Sequence, residues 1–307
     1  MPNLFVVPFA RRRNSANLSR RARTSCALFA VLLASATFHA TVATAAERIV
    51  SASGPVTEIL WAIGAQDDVV AVDTSSLFPE DVLKSRPSVG YMRALSAEGV
   101  LSTRPTLLLS AEGAGPPDVL KLLREGGVRI EILPDPFSGE ALASKIRRVG
   151  ALTGHAARAE ALAGDVERRF ADLAPLRDNA KPRRILFVLM LQASRAMVGG
   201  RNTAADAVIR MVGGTNVAAA SDGYKPMTEE AITAAAPDVV LMMVRPGVPA
   251  PPAEELFALP AFARTPAAAK KAMIAMDGLY LVGFGPREPE AIRDLAEALN
   301  RLDGGGR

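Results

Sequence analysis

From residue 48 onward the apolar positions fall into short unbroken runs separated by amphipathic stretches. Arg48-Ile49-Val50-Ser51, residues 69–72, Leu107-Leu108-Leu109 and residues 128–132 each read as a strand buried on both faces. Residues 56–63, ended by Gly64, and residues 118–125 read as helices between them. β-Branched and leucine runs alternating with helices predict an α/β lobe. The pattern then changes. Across residues 139–178 nearly every position is a helix former and no strand intervenes, with Gly154 dividing the stretch. The second part, roughly 24 residues, would be ~36 Å long as one helix. Strands resume at 184–189, 239–243 and 273–276, with helices at 203–211 and 289–302, the first closed by Gly213-Gly214. The expected architecture is two α/β lobes joined by a single long rigid helix. The lobes would span 47–153 and 181–307, and the connecting helix 154–180.

The halves share a local pattern. Glu98-Gly-Val-Leu-Ser-Thr-Arg-Pro105-Thr-Leu-Leu-Leu is echoed by Glu230-Ala-Ile-Thr-Ala-Ala-Ala-Pro237-Asp-Val-Val-Leu, 132 residues on. In each, a glutamate opens a short helix, a proline stops it and an apolar strand follows. The repeat predicts two related lobes, each presenting one carboxylate at a helix start.

Residues 1–46 are built differently. Six arginines and no acid precede Glu47, and an apolar run over 26–38 is followed by the small residues Thr41-Val42-Ala43-Thr44-Ala45-Ala46. This order describes a cleaved secretory signal peptide, and the run is short of the ~20 residues that span a bilayer. The segment alters the charge argument. The full chain has 36 basic and 32 acidic residues; removing six arginines leaves 30 against 32, a net of −2. The basic character belongs to the leader, so nucleic acid is not an expected partner. The only cysteine, Cys26, leaves with it.

Chemistry is then restricted. One histidine, His155, remains outside the leader, so neither a histidine-based metal site nor a Ser-His-Asp arrangement has the residues it needs. No Gly-x-Ser-x-Gly elbow or phosphate-loop spacing is present. An enzyme is not expected. Tyrosine is scarce, and two of the three lie at matched places: Tyr91 before the first glutamate helix and Tyr224 before the second. Arg93 follows Tyr91 by two positions, which in an extended segment puts both on one side. An adjacent guanidinium favours the phenolate, a ligand suited to ferric iron and known in haem proteins.

Val89-Gly90-Tyr91-Met92-Arg93, Gly200-Arg201-Asn202-Thr203, Gly223-Tyr224-Lys225-Pro226 and Gly283-Phe284-Gly285-Pro286-Arg287 resemble segments of the haem-binding periplasmic proteins of bacterial haem ABC importers. The resemblance spans most of the chain after the leader. It implies a periplasmic, monomeric carrier with little hinge motion and haem b held between the lobes as transported ligand. Tyr91 would be the axial ligand, Arg93 its hydrogen-bond partner, and Tyr224 and Lys225 contacts from the second lobe. Glu98 and Glu230 would dock on the inner-membrane permease, and an outer-membrane donor could supply the haem. Some relatives place a histidine in the second lobe, and this chain has none there, which bears on a second haem. Met190, Met197, Met242 and Met243 are candidate linings of an apolar slot. A siderophore or corrinoid carrier of the same fold is the alternative.

Overall fold

A computed structural model describes residues 47–304 apart from Pro136, Ala193 and Ser194. The signal segment expected over 1–46 lies outside the described residues. The first lobe opens with β1 (Ile49–Ala52), α1 (Gly54–Ala62), β2 (Val69–Val72) and a short α2 (Val82–Ser85), followed by α3 (Ala97–Leu101), β3 (Leu107–Ala111), α4 (Pro117–Glu125) and β4 (Arg129–Leu133). Its four strands are parallel in the order β2-β1-β3-β4.

The sequence of β1 and β3 explains why both faces are covered. Successive side chains of a strand point to opposite faces. Ile49, Leu107 and Leu109 pack with α1 and two later helices, α5 (Gly139–Leu152) and α6 (Ala156–Ala171), whereas Val50, Ala52 and Leu108 pack with Val100 and Leu123 of α3 and α4 on the other side. An unbroken apolar run is what a strand with two covered faces requires.

Helices α5 and α6 lie against each other. Arg147 on α5 pairs with Glu160 and Glu167 on α6 at 2.9 and 2.7 Å. His155 occupies the N-cap position of α6, its Nδ1 2.8 Å from the Thr153 carbonyl oxygen. The single helix expected over 154–180 is α6, ending at Ala171, followed after Asp172 and Leu173 by α7 (Ala174–Asp178), which starts at Ala174-Pro175. A proline near a helix N-terminus forfeits no hydrogen bond there but cannot extend the preceding helix. Phe170, near the end of α6, packs against the cores of both lobes.

The second lobe comprises β5 (Arg184–Gln192), β6 (Arg195–Gly199), α8 (Ala204–Met211), β7 (Thr215–Asn216), β8 (Tyr224–Met227), α9 (Glu229–Ala235), β9 (Val239–Val244), α10 (Ala253–Ala258), α11 (Pro260–Ala263), α12 (Pro266–Lys270), β10 (Met273–Asp277), α13 (Gly278–Val282) and α14 (Glu288–Gly304). Its sheet runs β10-β9-β5-β6-β8 with β7 beside β5; β6 joins β5 and β8 antiparallel, and the rest is parallel. The antiparallel extension is absent from the sequence pattern. It places Tyr224 in strand β8 instead of a loop, paired opposite Gly199. Pro226 hid this strand, because a proline is tolerated only where a sheet does not need its N–H, as on an edge.

The internal repeat reaches further than the glutamates. Ser96 and Thr228 are the matching N-caps, accepting from the amides of Gly99 and Ala231. Arg104 and Ala236, the residues before the two prolines, both adopt positive φ, at 49° and 42°. Strands β3 and β9 start at equivalent positions, Leu107 and Val239, and pair with Ile49 and Ile185. Arginine precedes each of those partners. Arg48 Nη2 donates to the Thr103 carbonyl at 2.7 Å, and Arg184 Nη2 to the Ala235 carbonyl at 2.5 Å. Each guanidinium thus satisfies a carbonyl freed where the short helix ends.

Candidate functional site

In parallel α/β sheets the loops at the carboxyl ends of the strands form the crevice where ligands bind. Here the loops that follow β2, β9 and β10 meet between the lobes. Leu77, Phe78 and Glu80 from the first lobe and Pro246, Leu279, Tyr280 and Arg287 from the second line a cavity of about 320 Å³. Gly54, at the start of α1, permits the approach. A β-carbon on it would lie 2.8 Å from Leu279 Cδ1 and 2.4 Å from the Ser75 carbonyl oxygen.

Tyr91 stands on the same edge of the first lobe. The Val72 carbonyl accepts from the Val89 amide at 2.9 Å, and the Gly90 carbonyl from the Thr74 amide at 2.9 Å, so the segment runs beside the exit of β2. The chain then tightens into a 3-10 turn, Met92–Ala94, closed by the Ala94 amide on the Tyr91 carbonyl at 2.8 Å. Two further bonds, Gly115 amide to Met92 carbonyl and Leu95 amide to Gly115 carbonyl, fasten the turn to the loop after β3. Met92 and Leu95 are buried, which leaves Tyr91 on the outside with 47% of its surface exposed.

This turn corrects one expectation. Tyr91 is extended, but Met92 and Arg93 lie in the 3-10 turn, so strand alternation does not carry Arg93 to the side of Tyr91. Among the described residues the two make no hydrogen bond to each other. The Arg93 guanidinium lies instead over Gly113: a β-carbon there would fall 2.5 Å from Nη1, and the glycine sits at φ +83°. Both conditions demand glycine.

Tyr224 starts the edge strand β8. Its ring centroid is 6.3 Å from that of Phe187 and tilted by 58°. The phenol end is turned toward Thr203 and Ala205 at the start of α8, and burial pushes its pKa up. Lys225 follows, exposed, opposite Val198. Of the methionines, Met242 belongs to the core, whereas Met190, Met197 and Met243 are half-buried. Glu98 and Glu230 are exposed at the second position of α3 and α9. The Glu230 carboxyl is held below its ordinary value by the Glu230 amide and the Thr228 hydroxyl, as expected at a helix N-terminus.

The floor of the cleft holds Arg287 and two buried acids that the sequence reading passed over, Glu58 and Glu288. Glu58 on α1 is buried, and Arg287 of the other lobe reaches it with Nε at 3.1 Å and Nη2 at 2.5 Å. The guanidinium also lies 3.6 Å from the centroid of the Phe78 ring and 5.1 Å from that of Tyr280. Burial outweighs Arg287 and holds the Glu58 carboxyl above its usual range. The Tyr280 phenol is pushed up to about 12 by burial and by Asp294, which its hydroxyl meets at 2.9 Å. Beneath them Glu288 is 1% exposed. It accepts the Phe284 amide at 2.9 Å on one oxygen, and burial drives its pKa far up. One signal for Glu58 was available: it is the only acid in the apolar helix segment Gly54–Ala62.

Among the described residues no group of three or more histidine, cysteine, aspartate or glutamate side chains is placed to hold a metal ion. The cavity lining offers the Tyr280 phenol, the Phe78 ring and the Arg287 guanidinium.

Comparison with known proteins places the family and the fold. A family model described as periplasmic binding protein matches residues 49–279. Solved periplasmic haem-binding proteins share the fold. Among them is RhuT from Roseiflexus sp. RS-1 in apo form, 40% identical, with a TM-score of 0.77 over 84% of this chain and 99% of that one. The uncharacterized ABC transporter substrate-binding lipoprotein YvrC of Bacillus subtilis is 26% identical over 82% of this chain and 80% of its own length. A cobalamin-binding protein of Halobacterium salinarum is 28% identical over 64% of this chain, a match that spans 53% of that relative.

Proposed function

Because this chain belongs to the periplasmic binding protein family, whose members bind solutes, we propose that it captures haem between its lobes and delivers it to an ABC importer. The observation that carries the reading is Tyr91, held outward by a fastened turn on the crevice edge, in a chain 40% identical to a haem-binding protein. Tyr91 is the axial ligand of ferric iron. Arg93, fixed over Gly113, supplies positive charge near the phenolate side of the cleft. Phe78 and Leu279 offer apolar surface to the porphyrin, and Tyr224 and Lys225 contribute from the second lobe, with Lys225 suited to a propionate. Glu98 and Glu230 meet basic side chains of the permease, one per lobe. The protein works as a periplasmic monomer after its leader is removed, and takes haem freely or from an outer-membrane donor.

Hemin titration tests the assignment. The unaltered protein gives a saturable ferric-haem Soret band, Tyr91→Ala removes most of it, and Arg93→Ala weakens it. A Tyr91→Ala protein with the original spectrum and affinity overturns the proposal. The match to a cobalamin-binding protein favours a corrinoid as second reading, and titration with cobalamin in parallel separates the two.

A further inference from the structure

Asp73 is fully buried directly after β2. Its carboxylate lies at the centre of a hydroxyl network. Ser75 Oγ donates to Asp73 Oδ1 and Oδ2 at 2.9 and 2.8 Å, and Ser76 Oγ donates to Oδ1 at 3.0 Å. Ser76 is 2.7 Å from Thr57 on α1, and Thr57 is 2.7 Å from Ser51 on β1. Ser75 also accepts the Gly54 amide at 3.0 Å, next to the contact of Gly54 with Leu279 of the second lobe. Two backbone amides complete the set, that of Ser75 and that of Met92, the latter 3.3 Å from Oδ2. Met92 is the residue after Tyr91 and is itself buried.

A buried carboxylate has four lone-pair positions to fill, and a buried amide needs one acceptor. Asp73 meets both needs by joining β1 and α1 to the turn that presents Tyr91. The loop after β3 grips that turn from the other side through Gly115. We propose that Asp73 is a positioning residue for Tyr91, fixing the 3-10 turn so that the phenol is set in the cleft before any ligand arrives. The proposal rests on the reading of Tyr91 as the ligand-binding phenol, but the turn itself can be measured without ligand. The Ser75 and Ser76 hydroxyls and the Met92 amide all donate to Asp73, so its role is that of a hydrogen-bond acceptor, which a neutral amide can imitate.

The experiment compares the unaltered protein with Asp73→Asn, Asp73→Ala and Tyr91→Phe. Amide exchange over residues 90–96 is followed in the ligand-free protein, and the ferric spectrum and affinity are followed with hemin. Asn keeps one carbonyl oxygen for the Met92 amide and should preserve both slow exchange and spectrum. Ala should speed exchange over the turn, shift the ferric-haem bands and weaken hemin binding by on the order of tenfold. Tyr91→Phe should change the spectrum and leave exchange alone. If Asp73→Ala does not fold, Asp73→Ser, too short to reach the Met92 amide, replaces it. A folded Ala or Ser variant with unchanged exchange and spectrum overturns the proposal. If the unaltered protein binds no hemin, the haem reading falls, and the exchange data alone decide whether Asp73 holds the turn.

Discussion

Glu288 shows how one side chain sets a pH dependence. It lies at the base of the cleft with one oxygen on the Phe284 amide, and burial, reinforced by the nearby Glu58 charge, raises its pKa well above the ordinary glutamate value. A carboxyl whose folded pKa exceeds its unfolded one binds its proton more tightly in the native state. Its contribution is therefore least favourable above the folded pKa, where a buried charge must be kept. It improves as pH falls toward about 4.3, the unfolded value. Glu288→Gln fixes the neutral form. The variant should melt above the parent at alkaline pH, and the gap should close as pH approaches about 4. Melting temperatures across that range check it, and a gap that widened on acidification would refute the assignment. Asp73 and Glu58 titrate in the same sense for the same cause, burial exceeding the help of their partners.

At the scale of elements, the two glutamate helices are one device used twice. A Ser or Thr cap, a glutamate at the second position, a left-handed residue before proline and a following strand recur 132 residues apart. The capping hydroxyl and the free amides of the first turn favour the carboxylate there, so the helices would form whatever the glutamates do. Docking is the separate question. Glu98→Ala with Glu230→Ala should leave hemin affinity and melting temperature nearly unchanged while slowing association with the permease, and the defect should shrink as salt rises. Association rates with reconstituted transporter at two ionic strengths measure this, and equal rates for parent and double variant would remove the docking role.

For the whole molecule, the seam between the lobes is the new element. Glu58 and Arg287 join α1 to the loop before α14, Phe78 covers the guanidinium, and Phe137 meets Phe284 with ring centroids 5.2 Å apart. Arg287→Ala leaves Glu58 buried without its partner and should lower unfolding stability by about 3 kcal/mol; Glu58→Gln with Arg287→Met should recover most of the loss, as urea unfolding will show. The alternating strands and helices, the two lobes, the helical stretch between them and the repeated glutamates were all legible in the sequence. Each is a local pattern, encoded by residues close together in the chain. The antiparallel pair β6 and β8 escaped because strand pairing at an edge leaves little periodicity, and Pro226 argues against it. Tyr91 could be singled out by rarity and by its neighbours, but its presentation could not. That depends on Asp73 and Gly115, brought to the turn by the exits of β2 and β3. Arg287 and Glu58 are 229 positions apart. The chain order thus determined the parts and their symmetry. Only the tertiary structure decided which buried charges meet between the lobes, because burial and pairing are properties of places that distant segments build together.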